Sequence, residues 1–185
     1  FGVWPDAYYM SGVQVTSGLV YDGAGVFAFD RAKMIAGDST AAMIYFNKNL
    51  ASDPDPRGLG GILPSDFDGL TAPPLGRPNT FAHLTATEFG NPADGLRLFD
   101  FHADFAAPAN STFTERPESA YAAPVAVAAF DPTNPLSLDD IQQPGGSGVN
   151  ALDAVGDRLM FRLQYRNTGA VESLVVSHTV GAPAS

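Results

Sequence analysis

Three ionisable side chains alternate along one short stretch of the chain. Asp100, His102 and Asp104 are spaced two residues apart, so an extended strand would place all three on one face. Two carboxylates beside an imidazole predict a binding surface, with metal coordination or acid–base work as its chemistry. A strand rises about 3.4 Å per residue, which separates Asp100 from Asp104 by about 13 Å. One ion with ligand bonds of ~2 Å therefore cannot bind all three, and a hydrogen-bonded or solvated strand face is the competing interpretation.

A second acidic pair, Asp66 and Asp68, lies in a stretch that we expect to be a surface loop. Calcium prefers several oxygen ligands, so this pair predicts a structural calcium site, the one cofactor that the sequence suggests. The stretch lacks the fuller Asp-x-Asp-x-Asp-Gly spacing of dedicated calcium loops. An ordinary Asx turn before Gly69 accounts for the same residues equally well.

Other side chains suggest binding rather than catalysis. Trp4 and Tyr8 could stack on sugar rings, although aromatic residues buried in the core are the usual alternative. Arg158, Arg162 and Arg166 lie in line over roughly 27 Å of one strand. They are therefore expected to pair with acidic neighbours such as Asp157 or Glu172 rather than to converge on one small anion. The chain contains no Gly-x-Ser-x-Gly elbow, Walker loop or dinucleotide fingerprint.

The elements that must position these residues are mostly short strands. Leu159, Phe161, Leu163 and Tyr165 alternate with polar residues, the pattern of a half-buried strand, and 173–180 is its predicted hairpin partner. Turn signals recur about every ten residues, as in all-β proteins. Further strands are predicted at 7–10, 26–29, 43–46, near 61–63, at 80–87 and 96–105, and in the alanine- and valine-rich run 122–130. A turn at 22–25, a loop over 51–78, a flexible loop at 142–148 and one short helix, 31–36, closed by Gly37, complete the prediction.

Composition limits the classes of partner. The chain has 10 Lys and Arg against 20 Asp and Glu, a formal charge of −10, and no basic stripe. Nucleic acids and anionic membranes are therefore not expected as partners. No apolar run approaches the ~18 residues of a membrane span. The absence of cysteine excludes disulfides, zinc–thiolate sites and cysteine nucleophiles.

Several stretches resemble one bacterial family of large secreted proteins whose central region is read as a β-propeller. The order and spacing fit over nearly the whole chain, and the matching stretches are 1–10, 29–34, 63–69, 101–104 and 156–180. The resemblance implies a secreted or cell-surface setting and a propeller fold, but no reaction. Two departures are a missing cysteine pair in the stretch 130–143 and a propeller region that in the family continues on both sides.

The resemblance implies that residues 1–185 form a single all-β segment of a larger propeller. A blade takes ~40–50 residues, so the chain supplies about three to four blades and one short helix. The rest of a longer chain, or a second chain, is then the expected partner that completes the ring. We expect a binding or scaffold domain that recognises an extracellular glycan. The alternatives are a polysaccharide hydrolase or lyase that uses carboxylates such as Asp66, Asp68, Asp100 or Asp104, and a structural element of a surface assembly.

Overall fold

The chain is built mostly of β-strands with one short α-helix, as the sequence predicts, and the strands form two sheets. The computed structural model describes residues 1–132, 144, 152 and 155–180. The helix α1 spans Arg31–Ala36, and single 3-10 turns occupy Leu50–Ser52, Thr87–Phe89, Pro108–Asn110 and Pro117–Ser119. The strands are β1 (Gly2–Val3), β2 (Ala7–Val15), β3 (Tyr21–Asp30), β4 (Met43–Lys48), β5 (Leu63–Asp68), β6 (Asn79–Thr85), β7 (Gly95–His102), β8 (Thr112–Glu115), β9 (Val125–Ala126), β10 (Met160–Asn167) and β11 (Glu172–Ser177).

The first sheet is an antiparallel meander of β1, β2, β3 and β4 in that order. The stretch 22–25, predicted as a turn, lies inside β3 instead. Gly23 explains the difference: it has φ +84°, and a Cβ there would lie 2.4 Å from the backbone oxygen of Lys48. Glycine thus allows β3 to continue past a conformation that other residues rarely adopt.

The second sheet has the order β11-β10-β5-β6-β7-β8, with β9 paired to β7. Strands β5 to β8 form a second antiparallel meander, and β10 joins β5 in parallel. Only two residue pairs join β5 to β6. The buried side chain of Asn79 extends this junction, because its amide accepts from Ser65 N and donates to Ser65 O.

The main hydrophobic core lies between the two sheets. Tyr9 of β2 packs edge-on against Phe81 and Phe101, with ring centroids 6.0 and 5.2 Å apart. A second cluster covers the opposite face of β6, where Ala82 and Leu84 are buried. Strand β6 is therefore buried on both faces. Among the described residues the two sheets form no closed ring of blades.

Helix α1 begins and ends as its sequence predicts. The Asp30 carboxylate accepts a hydrogen bond from Lys33 N at 3.1 Å, which is a side-chain N-cap. Gly37 ends the helix in the left-handed conformation with φ 66°. Among the described residues no helix has the length and hydropathy that a membrane crossing requires.

Two predicted strands differ from the observed ones. The predicted alternation is confirmed by the burial of Leu163 and Tyr165 in β10 and of Leu159 just before it, but Phe161 is 72% exposed. The pairing of β10 with β11 shifts register between Met160 and Gln164, and this irregularity turns Phe161 out of the core. The small-residue strand predicted for 122–130 is reduced to the two residues of β9. Most of the loop predicted at 142–148 lies outside the described residues.

Candidate functional site

A cleft of about 500 Å³ opens next to the end of β2 and the start of β3, which contribute Val13 and Tyr21 to its lining. The loop between β4 and β5 forms one wall, and β6 forms another. We call it the main cleft; its polar lining includes Tyr21, Asp55, Arg57, His83, Asp157 and Arg158. The loop places its residues here because it folds back over the inward-facing side of β6 and β7.

A buried charge cluster supports this wall. Arg97 of β7 is 1% exposed, lies opposite His83 in the strand pairing, and shares a face with Phe99 and Phe101. Its guanidinium donates to both carboxylate oxygens of Asp53, at 2.7 and 3.0 Å, and to Glu115 at 2.6 Å. This bidentate geometry is what an arginine needs when it is removed from water.

Asp55 connects the cluster to the main cleft. Its Oδ2 lies 3.1 Å from His83 Nε2 and 3.7 Å from Arg97 Nη1. Burial acts to raise the pKa of Asp55, but the hydrogen bond with His83, the charge of His83 and the Arg57 N–H outweigh it and lower the pKa. The side chain of Asn91 also acts to lower the pKa of Asp55. The Nδ2 atom of Asn91 is buried and makes no hydrogen bond within the described residues. Asp55 is therefore a stable carboxylate.

Two arginines lie at the rim of the main cleft. Arg57 Nη2 and Arg158 Nε approach Asp157 at 3.0 and 2.8 Å. Burial acts to raise the pKa of Asp157, but the hydrogen bond and charge of Arg158, together with the charge of Arg57, lower it. The carboxylate is only 5% exposed, whereas the two arginine side chains are 43% and 42% exposed. A ligand that enters the cleft therefore meets the guanidinium groups first. The pairing of Arg158 with Asp157 agrees with the sequence-based expectation.

Tyr21 fixes the backbone of the loop at this rim. Its hydroxyl donates to Arg57 O at 2.6 Å. Gly60 leaves room for the ring, because a Cβ at Gly60 would lie 2.2 Å from the Tyr21 hydroxyl oxygen. Burial raises the pKa of Tyr21, so the hydroxyl remains a hydrogen-bond donor at neutral pH.

The cluster predicted at Asp100, His102 and Asp104 is not brought together. Asp100 is held by Arg116, whose Nε and Nη2 donate to its carboxylate at 2.7–3.0 Å. Strand β7 ends at His102, earlier than predicted, because Asp104 accepts from Ala106 N and Ala107 N and turns the chain. These backbone hydrogen bonds lower the pKa of Asp104.

The two predicted aromatic residues also lie apart. Trp4 is 3% exposed, lies in the core with its ring centroid 4.7 Å from that of Tyr165, and donates from Nε1 to Arg77 O. Tyr8 lies on the outer face of the first sheet with Arg31 over its ring. They share no surface on which one sugar could stack.

His102 lines a second groove, of about 450 Å³, together with Trp4, Asp6 and the proline-rich stretch 72–78. The pKa of Asp6 is raised because the carboxyl group of Asp6 is partly buried, although the residue as a whole is exposed. No other carboxylate lines this groove among the described residues.

Asp66 and Asp68 lie on strand β5 rather than in the predicted loop, because β5 pairs in parallel with β10. Arg162 of β10 contacts both carboxylates, at 2.7 and 3.2 Å. Gln164 donates to Asp68, and Val3 N donates to Asp66. Nowhere in the part of the chain that the structure describes do three or more His, Asp or Glu side chains form a group that could hold a metal ion. Calcium binding at Asp66 and Asp68 stays a prediction.

The main cleft was not predicted from the sequence, although the residues beneath it leave a signal there. An extended strand places Arg97 on the same face as Phe99 and Phe101, and it places His83 on the same face as Phe81. A charged residue at inward-facing positions of a strand indicates a buried ion pair that needs partners from elsewhere. The acidic partners, Asp53 and Asp55, come from a loop whose path the strand pattern does not indicate.

The arrangement can bind a polar ligand, and its two carboxyl groups are not suited to act as general acids. Both carboxylates of the main cleft have lowered pKa values, whereas a general acid at neutral pH needs a raised one. Comparisons of the chain with models of protein families, with curated proteins and with solved structures found no match.

Proposed function

We propose that this protein is a binding domain that holds a saccharide of an extracellular polymer in the main cleft, as part of a secreted or cell-surface protein. The supporting observation is a cleft whose polar side chains are already held in place by buried ion pairs. Its volume of about 500 Å³ is within the ~300–1,000 Å³ of typical ligand sites. Preorganised donors bind without the entropic cost of ordering flexible side chains.

A saccharide suits the lining better than an apolar ligand does. The lining combines the exposed guanidinium groups of Arg57 and Arg158 with the ring of Phe89. Sugars combine hydroxyl groups with an apolar ring face, so they can use both kinds of contact. The hydrolase alternative has less support, because the carboxylates named for it lie outside this cleft and the cleft's own carboxylates have lowered pKa values.

Binding of the labelled domain to a glycan array tests the proposal. Val13 lines the main cleft and is 55% exposed, so Val13→Trp would fill the cleft without disturbing the core. Val15, on the same strand and 53% exposed, does not line the cleft, and Val15→Trp is the matched control. We expect saccharide binding that V13W weakens at least about tenfold, a loss of ~1.4 kcal/mol, and that V15W retains. Absence of saccharide binding, or equal binding by V13W, contradicts the proposal.

A second candidate function, a structural element of a surface assembly, is favoured by the outer face of the first sheet. This face carries no charged side chain on its strands. Its polar residues include Gln14 and Asn47, and its large apolar residues are Val3, Tyr8, Met10, Phe27, Phe29, Met43 and Tyr45. Val3, Met43 and Tyr45 are 42–53% exposed. Apolar faces of this kind usually mark contact with another protein surface. The partner in this candidate is the same face of a second copy of this chain.

Sedimentation velocity tests this candidate. We expect the chain to self-associate with rising concentration and Met43→Lys to remain monomeric, because a charge on the outer face opposes its burial. Leu70→Lys, at a fully exposed position away from this face, is the control. A monomeric wild type, or association that survives M43K, removes this candidate.

A further inference from the structure

We infer that the main cleft selects ligands that carry a single anionic group, and that Arg57 binds this group at the rim. The inference rests on the proposed binding function and names the class of ligand. That class is a carboxylate, sulfate or phosphate attached to a small polar carrier such as one sugar residue.

The exposed charges of the main cleft are positive. Of the charged residues of the main cleft, the anions are withdrawn from water and the cations face it. The side chains of Asp55 and Asp157 are 1% and 5% exposed, against 43% for Arg57. The buried carboxylate of Asp157 therefore orients the guanidinium of Arg57, which is an accessible charge.

Contacts of its backbone and its side chain hold Arg57 in place. Its backbone N–H donates to Asp55 Oδ1 at 2.9 Å, and its carbonyl accepts the Tyr21 hydroxyl at 2.6 Å. Its guanidinium carbon lies 4.1 Å from the ring centroid of Phe89, which holds the guanidinium against the ring. Backbone and side chain are thus fixed before a ligand arrives.

The guanidinium of Arg57 keeps N–H donors that have no acceptor among the described residues. A guanidinium has five N–H donors, and Arg57 uses Nη2 for Asp157. Nε and Nη1 have no hydrogen-bond acceptor among the described residues. Asp157 also binds Arg158, so its one negative charge is divided between two cations. Arg57 can therefore accept a second anion, and paired N–H donors match the oxygens of a carboxylate, sulfate or phosphate.

The net charge of the chain and the size of the cleft limit the ligand to one anionic group. The chain carries a formal charge of −10, and such a field repels a polyanion. A cleft of about 500 Å³ is also too small to hold a long charged polymer. An isolated charge on a short saccharide satisfies both conditions.

Calorimetric titrations with matched probes test the inference. Methyl D-galacturonoside and methyl D-galactoside differ only in a carboxylate against a hydroxymethyl group, and galactose 6-sulfate separates sulfate from carboxylate recognition. Acetate and inorganic sulfate report anion binding without a sugar. Charge-assisted hydrogen bonds contribute ~1.5–3 kcal/mol, so we expect a preference for the acidic over the neutral sugar of about tenfold or more. Arg57→Gln should abolish this preference and Arg57→Lys should retain part of it.

Arg77→Gln is the matched control. Arg77 has a similar exposure, 41%, and a similar ion pair, 2.8 Å to Glu172, but it does not line the main cleft. Equal affinities for the two methyl glycosides, or a preference that survives R57Q, overturn the inference while saccharide binding stands. Binding of acetate or sulfate that is lost in R57Q, without any saccharide binding, supports the inference and overturns the proposed function. Absence of binding by every probe overturns both.

Discussion

Arg97 and His83 lie directly opposite each other on neighbouring strands, and both side chains are buried. Two basic residues in this position need acidic partners, and the sheet supplies Glu115 of β8, which binds Arg97. The loop between β4 and β5 supplies the others, because Asp53 binds Arg97 and Asp55 binds His83. The wall of the main cleft is therefore held in place by ion pairs that join a loop to the sheet.

Removal of Arg97 should destabilise the fold strongly. Arg97→Met keeps much of the volume but leaves the side chain of Asp53, which is 5% exposed, without its counter-ion. Breaking a buried ion pair at one partner costs about 3–5 kcal/mol, and we expect a loss of this size in urea unfolding. Glu115→Gln, at a partner that is 27% exposed, should cost much less. Equal losses for R97M and E115Q would contradict this role for Arg97.

Stability should fall in acid. The pKa values of Asp55 and Asp157 are lowered from the ordinary 3.8, so the unfolded chain binds protons at these sites before the folded chain does. Their contribution to stability is present above pH 3.8 and is lost as the pH falls through the folded pKa values. Asp6, whose pKa is raised, acts in the opposite sense, since its contribution is lost as the pH rises above 3.8.

Urea unfolding between about pH 5 and pH 2 measures this dependence. We expect the free energy of unfolding to decrease toward low pH and Asp157→Asn to reduce the slope, because the variant removes a carboxyl group whose pKa is lowered in the folded chain. Identical slopes for D157N and the wild type would show that Asp157 does not contribute.

The contact between the two sheets at β1 should tolerate no side chain at Gly2. A Cβ at Gly2 would lie 2.3 Å from the backbone oxygen of Ser65, an atom that cannot move without shifting β5. Gly12, in β2, has open space around its Cβ position. We expect Gly2→Ala to cost about 1–3 kcal/mol and Gly12→Ala to be neutral or slightly stabilising. Thermal unfolding of the two variants decides the matter, and equal midpoints would contradict the close approach.

Calcium at Asp66 and Asp68 must compete with Arg162. The guanidinium contacts both carboxylates, so an ion can bind them only after the arginine leaves. We expect calcium to raise the melting temperature of Arg162→Ala more than that of the wild type, measured against matched samples with EDTA. A larger calcium effect in the wild type would mean that the ion binds while Arg162 stays in place.

The local elements follow from local patterns. Helix α1 was predictable because Asp30 and Gly37 cap a short helix by contacts within the segment. The hairpin of β10 and β11 was predictable because residues on both sides of one turn alternate between apolar and polar. The end of β7 was not, since Asp104 hydrogen-bonds to its own loop and stops the alternation.

The site depended on contacts between distant segments. The Asp66–Arg162 pair joins residues 96 positions apart, and the Asp53–Arg97 pair joins residues 44 positions apart. The periodicity of a strand indicates which face of the sheet a side chain occupies, but it does not indicate which loop covers that face.

By itself, the sequence determined an all-β chain with one short helix, because strand alternation and helix capping depend on residues close together in the chain. The tertiary structure alone decided that the loop between β4 and β5 covers His83 and Arg97, and that Arg57 lies at the rim of a cleft. The physical reason is that a buried charge must find its counter-ion wherever the folded chain places one, at any distance along the sequence.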